Sequence, residues 1–125
     1  MAKFPKSERI KSKIVIDNVF KEGQLIKKYP FRLKYCETEK ETTQILISVP
    51  KRLIKSAVKR NRVRRQIKEI YRLNKADLIN SLKMKKKNLA LFLIYTGKEN
   101  EDFHFLEDKL KLVLKEMKNK YETNN

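Results

Sequence analysis

Apolar positions along this chain repeat with two different periods, and the changes of period mark out its elements. From Ser12, Val15/Val19 and Ile16/Phe20 pair at i,i+4 and Gly23 stands where a glycine closes a helix, which predicts a short helix with Ser12 as its cap. Between Gln24 and Glu37 the period drops to two: Leu25, Lys27 and Tyr29, then Phe31, Leu33 and Tyr35 alternating with Arg32 and Lys34. Pro30 interrupts, so two strand pieces joined at a bend or edge are expected. Residues 37–43 form a polar, acidic connector that fits a hairpin loop. Ile45, Leu46, Ile47 and Val49 then give a largely buried strand ending at Pro50. A long helix follows, with Leu78, Ile79 and Leu82 carrying its period on past Asn74. The apolar run of seven from Leu89 to Tyr95 is too short for an independent helix and reads as a central strand ended by Gly97. Beyond Asn100, a plausible cap, Phe103, Leu106, Leu110, Val113, Leu114, Met117 and Tyr121 trace the stripe of a C-terminal helix that covers a sheet. The order is helix, two or three strands, helix, strand, helix: an α+β sandwich with about four strands.

The middle helix carries the chemistry. Laid out at about 100° per residue, Val63, Ile67, Ile70 and Tyr71 share an arc of roughly 100°, a core-facing stripe. Arg60, Arg64, Lys68, Asn61, Arg72 and Arg65 sweep an adjoining arc of roughly 140°. Residues 51–75 hold eleven Lys or Arg and one acid, Glu69. A merely solvated face would mix Glu with Lys at i,i+4, and this one hardly does. Arginine dominates, which favours bidentate phosphate contacts and stacking on bases over diffuse charge.

Composition narrows the partner. The chain has 125 residues, enough for one core, and a formal charge of +17, so it is read as one domain with a polyanionic partner, either a nucleic acid or an anionic membrane surface. Residues 1–11 carry Lys3, Lys6, Arg9 and Lys11 with little to bury and are expected to form a flexible basic arm, while 122–125 should fray. The longest apolar run falls far short of the roughly 18 residues of a membrane span, and the N-terminus lacks an apolar signal core, so a cytoplasmic location is expected. Cys36 is the only cysteine and His104 the only histidine, leaving no zinc-ligand set. Glu37, Glu39 and Glu41 are read as solvated loop carboxylates, and no metal site is assigned.

At the middle helix the sequence closely resembles the protein subunit of bacterial ribonuclease P, whose signature reads Ala-Val-x-Arg-Asn-Arg-x-Lys-Arg-x-x-Arg-Glu. Ala57, Val58, Arg60, Asn61, Arg62, Arg65 and Glu69 match it, with Arg64 in place of Lys and Lys68 in place of Arg. Ser48-Val49-Pro50-Lys51-Arg52 and Val19-Phe20-Lys21-Glu22-Gly23 extend the likeness over most of the chain. Two departures stand out: Leu53-Ile54-Lys55 replaces a usual Gly with one extra residue, and Ile16 replaces a common Phe. The resemblance implies an αβββαβα order with a left-handed βαβ crossover and a four-stranded sheet, a fold like the second domain of ribosomal protein S5.

The resemblance also implies a division of labour. Phosphodiester cleavage needs clustered carboxylates with metal ions or a His-based acid/base pair, and this chain has no motif of either kind. In the family the catalytic RNA positions Mg2+, and the protein assists folding and captures precursor tRNA for removal of its 5′ leader. Carried over, the RNA-binding set is Lys51, Arg52, Lys59, Arg60, Asn61, Arg62, Arg64, Arg65, Lys68 and Arg72. The leader would lie in a cleft between this helix and the sheet, stacking on Phe20 and on Phe31 or Tyr35. No catalytic residue is assigned to the protein, which would be an enzyme only as a subunit of the holoenzyme. The alternative is a ribosomal or other structural RNA-binding protein, which charge and size suit equally. DNA binding is disfavoured because a strand, not a helix, precedes the basic helix, and membrane binding because the helix's apolar side is needed for the core.

Overall fold

A computed structural model describes residues 6–123. A 3-10 turn (Lys6–Glu8) leads into α1 (Lys13–Glu22), β1 (Gln24–Lys28), β2 (Phe31–Glu37), β3 (Gln44–Ser48), α2 (Ala57–Asn74), α3 (Ala76–Met84), β4 (Leu89–Tyr95) and α4 (Phe103–Thr123). The strands form one sheet in the order β1-β2-β4-β3, antiparallel except for the parallel pair β3 and β4. The seven-residue apolar run is therefore a central strand, as its composition predicts. The two pieces flanking Pro30 form an antiparallel hairpin, with a cis Tyr29–Pro30 peptide in its turn.

Alternation in the strands assigns the two faces of the sheet. Ile26, Phe31, Leu33, Tyr35, Ile45, Ile47, Leu89, Leu91, Leu93 and Tyr95 point to one side and join Val63, Ile67, Ile70, Tyr71, Leu78, Leu82 and the α4 stripe in the main core. On the other side α1 packs Val15, Ile16 and Val19 against Ala90, Phe92, Cys36, Leu46 and Ile94, a smaller cluster that also holds Ile10. Ser12 caps α1 as expected, its Oγ accepting from the Val15 N–H at 3.4 Å. Gly23 closes the helix with an extended backbone (φ −67°) instead of a left-handed one. It is required by close approach, since a Cβ there would collide with the Val19 carbonyl oxygen.

Three expectations are corrected. The basic arm is shorter than residues 1–11: Ile10 is buried, its N–H donates to Ile45 O at 3.3 Å, and Glu8 pairs with Lys75. Ile10 was the apolar residue overlooked in that segment, while residues 1–5 lie outside the described region. At the other end α4 runs to Thr123, into the segment expected to fray, and Ser81 Oγ donates to Glu122 Oε2 at 3.0 Å. Residues 124 and 125 lie outside the described region. Finally, α2 does not follow β3 directly. Residues 50–56 make a tight turn in which the Leu53 and Ile54 N–H groups both donate to Pro50 O at 3.2 Å, with Ile54 buried beneath it.

Candidate nucleic-acid interface

Helix α2 has one buried side and one charged side, as its periodicity predicts. Val63, Ile67, Ile70 and Tyr71 are its buried residues. Ser56 caps it through Oγ, which accepts from the Lys59 N–H at 3.3 Å, and its first turn contains no acid. The positive end of the helix dipole therefore coincides with Lys55, Lys59 and Arg60. Along the outer side Val58, Asn61, Arg64, Arg65 and Lys68 line a groove of about 370 Å³. Arg64 Nη1 donates to Asn61 Oδ1 at 2.8 Å, which orients both side chains. Burial, then the Arg9 and Arg64 guanidinium groups, hold the Lys68 ammonium below the usual lysine range. A cation crowded in this way is poised to accept an anion, whose charge would relieve the repulsion.

The ten cationic and amide residues expected to bind RNA are not equivalent. Lys59, Asn61, Arg62 and Arg65 are exposed, Arg64 and Lys68 half-buried. None of Lys51, Arg52, Lys59, Arg60, Arg62, Arg64, Arg65 and Lys68 is in an ion pair among the described residues. Arg72 differs, because its guanidinium forks onto Glu69 at 2.6 and 3.2 Å and is locally neutralised. Arg60 differs again. Its Nη1 donates to Ile54 O at 3.0 Å and to Lys55 O at 2.8 Å, so it ties the turn carrying Lys51 and Arg52 to the start of α2.

The expected leader cleft between α2 and the sheet does not exist, because the main core fills that space. Phe31 and Tyr35, 1% and 2% exposed, belong to this core and offer no stacking face. Phe31 meets Tyr95 edge-on at 6.0 Å, and Tyr35 donates its hydroxyl to Gln24 Oε1 at 2.9 Å. Strand parity is the reason: they share a side with Leu33, whose neighbours Arg32 and Lys34 point the other way.

The other sheet face is covered by α1 over its centre but stays accessible along β1 and β2, where Leu25, Lys27 and Arg32 are exposed. Strand pairing lines up Lys27, Arg32, Ile94 and Ser48 in one row and Leu25, Lys34, Phe92 and Leu46 in the next. Phe20 of α1 stands above it, 48% exposed, with its ring edge-on to Phe92 at 4.9 Å and Lys34 Nζ at 5.1 Å from its centroid. An exposed aromatic beside cations that no acid neutralises among the described residues is an arrangement that takes single-stranded nucleic acid. Arg32 and Lys34 are further candidates on this face, and the alternation of β2 already separated them from the core. No group of three or more His, Cys, Asp or Glu that could hold a metal ion exists among the described residues, and Glu37 is paired with Lys87 at 2.8 Å. No described helix is long and apolar enough to cross a membrane.

Comparison with known proteins gives a consistent result. A family profile described as Ribonuclease P matches residues 4–118. The ribonuclease P protein component of Porphyromonas gingivalis is 36% identical over 105 residues, covering 82% of this chain and 77% of the relative. That of Borrelia duttonii is 37% identical over 108 residues and covers 86% of both chains. Among solved structures, the RNase P protein of Staphylococcus aureus superposes with a TM-score of 0.72 at 23% identity, covering 88% of this chain and 94% of that one. The RNase P protein from Thermotoga maritima gives 0.71 at 24% identity, over 87% and 96%. At that identity the superpositions establish the fold.

Proposed function

This chain belongs to the ribonuclease P protein family, and from that premise we propose that it binds the catalytic RNA of ribonuclease P through α2 and captures the 5′ leader of precursor tRNA on the open face of its sheet. The observation that carries the first part is the row Asn61, Arg64, Arg65 and Lys68, unopposed by acid and held on the outer side of α2 because the far side of the helix is buried. Lys51, Arg52, Lys59 and Arg62 extend the contact around the start of α2. Arg60 acts mainly by holding the 50–56 turn in place, and Arg72 contributes little net charge.

The leader reading moves to the face bearing Phe20, Arg32 and Lys34. Bases stack on Phe20 while phosphates meet the two cations, a mode tolerant of sequence because every base has a π face. The residues of the chain fit an assisting role in cleavage better than a chemical one. They offer phosphate contacts and stacking surfaces, and among the described residues no group of three or more His, Cys, Asp or Glu. Magnesium, which supplies the Lewis-acid chemistry of phosphodiester hydrolysis, would be held mainly by the RNA. The product of the holoenzyme, acting in the cytoplasm, is the mature tRNA 5′ end.

The test is reconstitution with the catalytic RNA together with sequencing of RNA that co-purifies with the tagged protein. One dominant structured RNA, which restores leader removal in magnesium when added back, is expected. Recovery of ribosomal RNA alone would replace this reading with that of a structural ribosomal protein. Leader removal by RNA-free protein would overturn the division of labour.

A further inference from the structure

Beyond the Phe20 face lies a second groove, of about 440 Å³, at the edge of the sheet where β1 turns into β2 and where β3 and β4 end. Lys27, Arg32, Arg52 and Leu53 line it together with Tyr29, Thr96 and the otherwise buried Phe31, so Tyr29 is its one exposed aromatic. It shares Arg52 with the α2 contact and Arg32 with the Phe20 face, while Tyr29 and Lys27 belong to neither. Tyr29 is 58% exposed, an unusual setting for a large aromatic, and its ring lies 6.5 Å from that of Phe105. The Thr96 N–H donates to Pro30 O at 2.7 Å, tying the hairpin tip to the end of β4 beside this ring. Lys27, Arg32 and Arg52 are in no ion pair among the described residues. One supported aromatic ring amid three uncompensated cations supplies a base platform and its phosphate contacts.

Two further observations fix the occupant. Lys27 and Arg32 are cross-strand partners on the open face of the sheet, one row from the Leu25–Lys34–Phe92 row over which Phe20 stands, so the groove and the Phe20 site form one continuous track. Arg52 sits in the turn that Arg60 fastens to the first turn of α2, so this end of the track is the one next to the α2 interface. We infer that the Tyr29 groove is a second stacking subsite for the single-stranded leader, holding nucleotides nearer to the α2 interface than those stacked on Phe20. Tyr29 provides the platform, and Arg52, Arg32 and Lys27 meet the flanking phosphates. This inference rests on the leader reading given above and adds to it a direction and a second anchor.

The experiment measures binding of the reconstituted holoenzyme to cleavage-blocked precursor tRNAs with leaders of graded length and to leaderless mature tRNA. Tyr29→Ala, Tyr29→Phe and Phe20→Ala are compared with the wild type. Tyr29→Ala should weaken leader-bearing substrates by at least about fivefold, the low end for losing one base–aromatic stack. Tyr29→Phe, which keeps the ring, should bind as the wild type does, and mature tRNA should be indifferent to both. The loss in Tyr29→Ala should appear at a shorter leader than the loss in Phe20→Ala. Normal binding by Tyr29→Ala at every leader length would overturn the subsite, as would an equal loss on mature tRNA. Either outcome leaves the Phe20 reading intact if Phe20→Ala still discriminates by leader. A wild-type holoenzyme that does not distinguish leader-bearing from leaderless tRNA would overturn both.

Discussion

Replacing Arg60 with Ala separates a strut from a phosphate ligand. The side chain makes two hydrogen bonds to backbone carbonyls of the preceding turn, a half-buried one to Ile54 O and an exposed one to Lys55 O. The exposed carbonyl is rehydrated when the guanidinium goes. The half-buried one loses a charged donor, so the net cost is about 1 to 2 kcal/mol. In a domain of this size each kcal/mol moves Tm by about 3 to 6 °C, which predicts a clear fall in the melt of RNA-free Arg60→Ala. Arg65→Ala is the control, because Arg65 is exposed and has no partner among the described residues. Its melt should stay within about 0.5 kcal/mol of the wild type while RNA affinity drops. Arg60→Lys keeps the charge, but both bonds leave from the terminal Nη1, beyond the reach of the shorter lysine side chain, so its melting temperature should remain depressed. A wild-type melt for Arg60→Ala, with affinity lost and then fully restored by Lys, would refute the strut and make Arg60 a simple phosphate contact.

The remaining predictions address the rest of the helix and the core. Arg64→Ala/Arg65→Ala should melt normally but bind the catalytic RNA weakly, whereas Ile67→Ala, at a fully buried site, should cost about 2 to 5 kcal/mol and affect RNA only through unfolding. Opposite outcomes in paired melts and affinities would mean that the helix faces the other way. With about five phosphates neutralised, log K should fall with log salt at a slope near −4, and a titration giving a slope shallower than about −1 would place the charge away from the interface. Tyr121, pushed up to about 12 by burial and then by Glu37, favours the fold in its neutral form. Its contribution is complete below the unfolded value of about 10 and is lost as pH rises from there to about 12. Melts at rising alkaline pH should therefore fall less steeply for Tyr121→Phe, and identical slopes would show that the hydroxyl does not feel this burial.

Much of this was legible in the residues. The stripe Val63, Ile67, Ile70, Tyr71 located the buried side of α2, and the β-branched and leucine-rich run from Leu89 located the central strand. Arg60 was legible too, in hindsight. On the wheel it falls between Ile67 and Tyr71, inside the apolar arc, where a guanidinium must find backbone partners instead of solvent. The leader face was misplaced because strand alternation separates two sides without saying which helix covers which. Phe31 and Tyr35 are aromatic and flank basic residues, yet parity puts them in the core and leaves Arg32 and Lys34 with Phe20. The extent of the N-terminal arm depended on one residue, Ile10, whose partner Ile45 lies on a distant strand that no local pattern reveals.

The strand order has a consequence for synthesis of the chain. β2 and β3 never touch: each pairs with β4, which is made after both and after the whole of α2 and α3. Until residues 89–95 have left the ribosome the two halves of the sheet have no shared partner, and the apolar stripe of α2 has no complete surface to cover. Insertion of β4 is thus the step that joins the halves, so an N-terminal fragment ending before Leu89 is expected to lack the complete core.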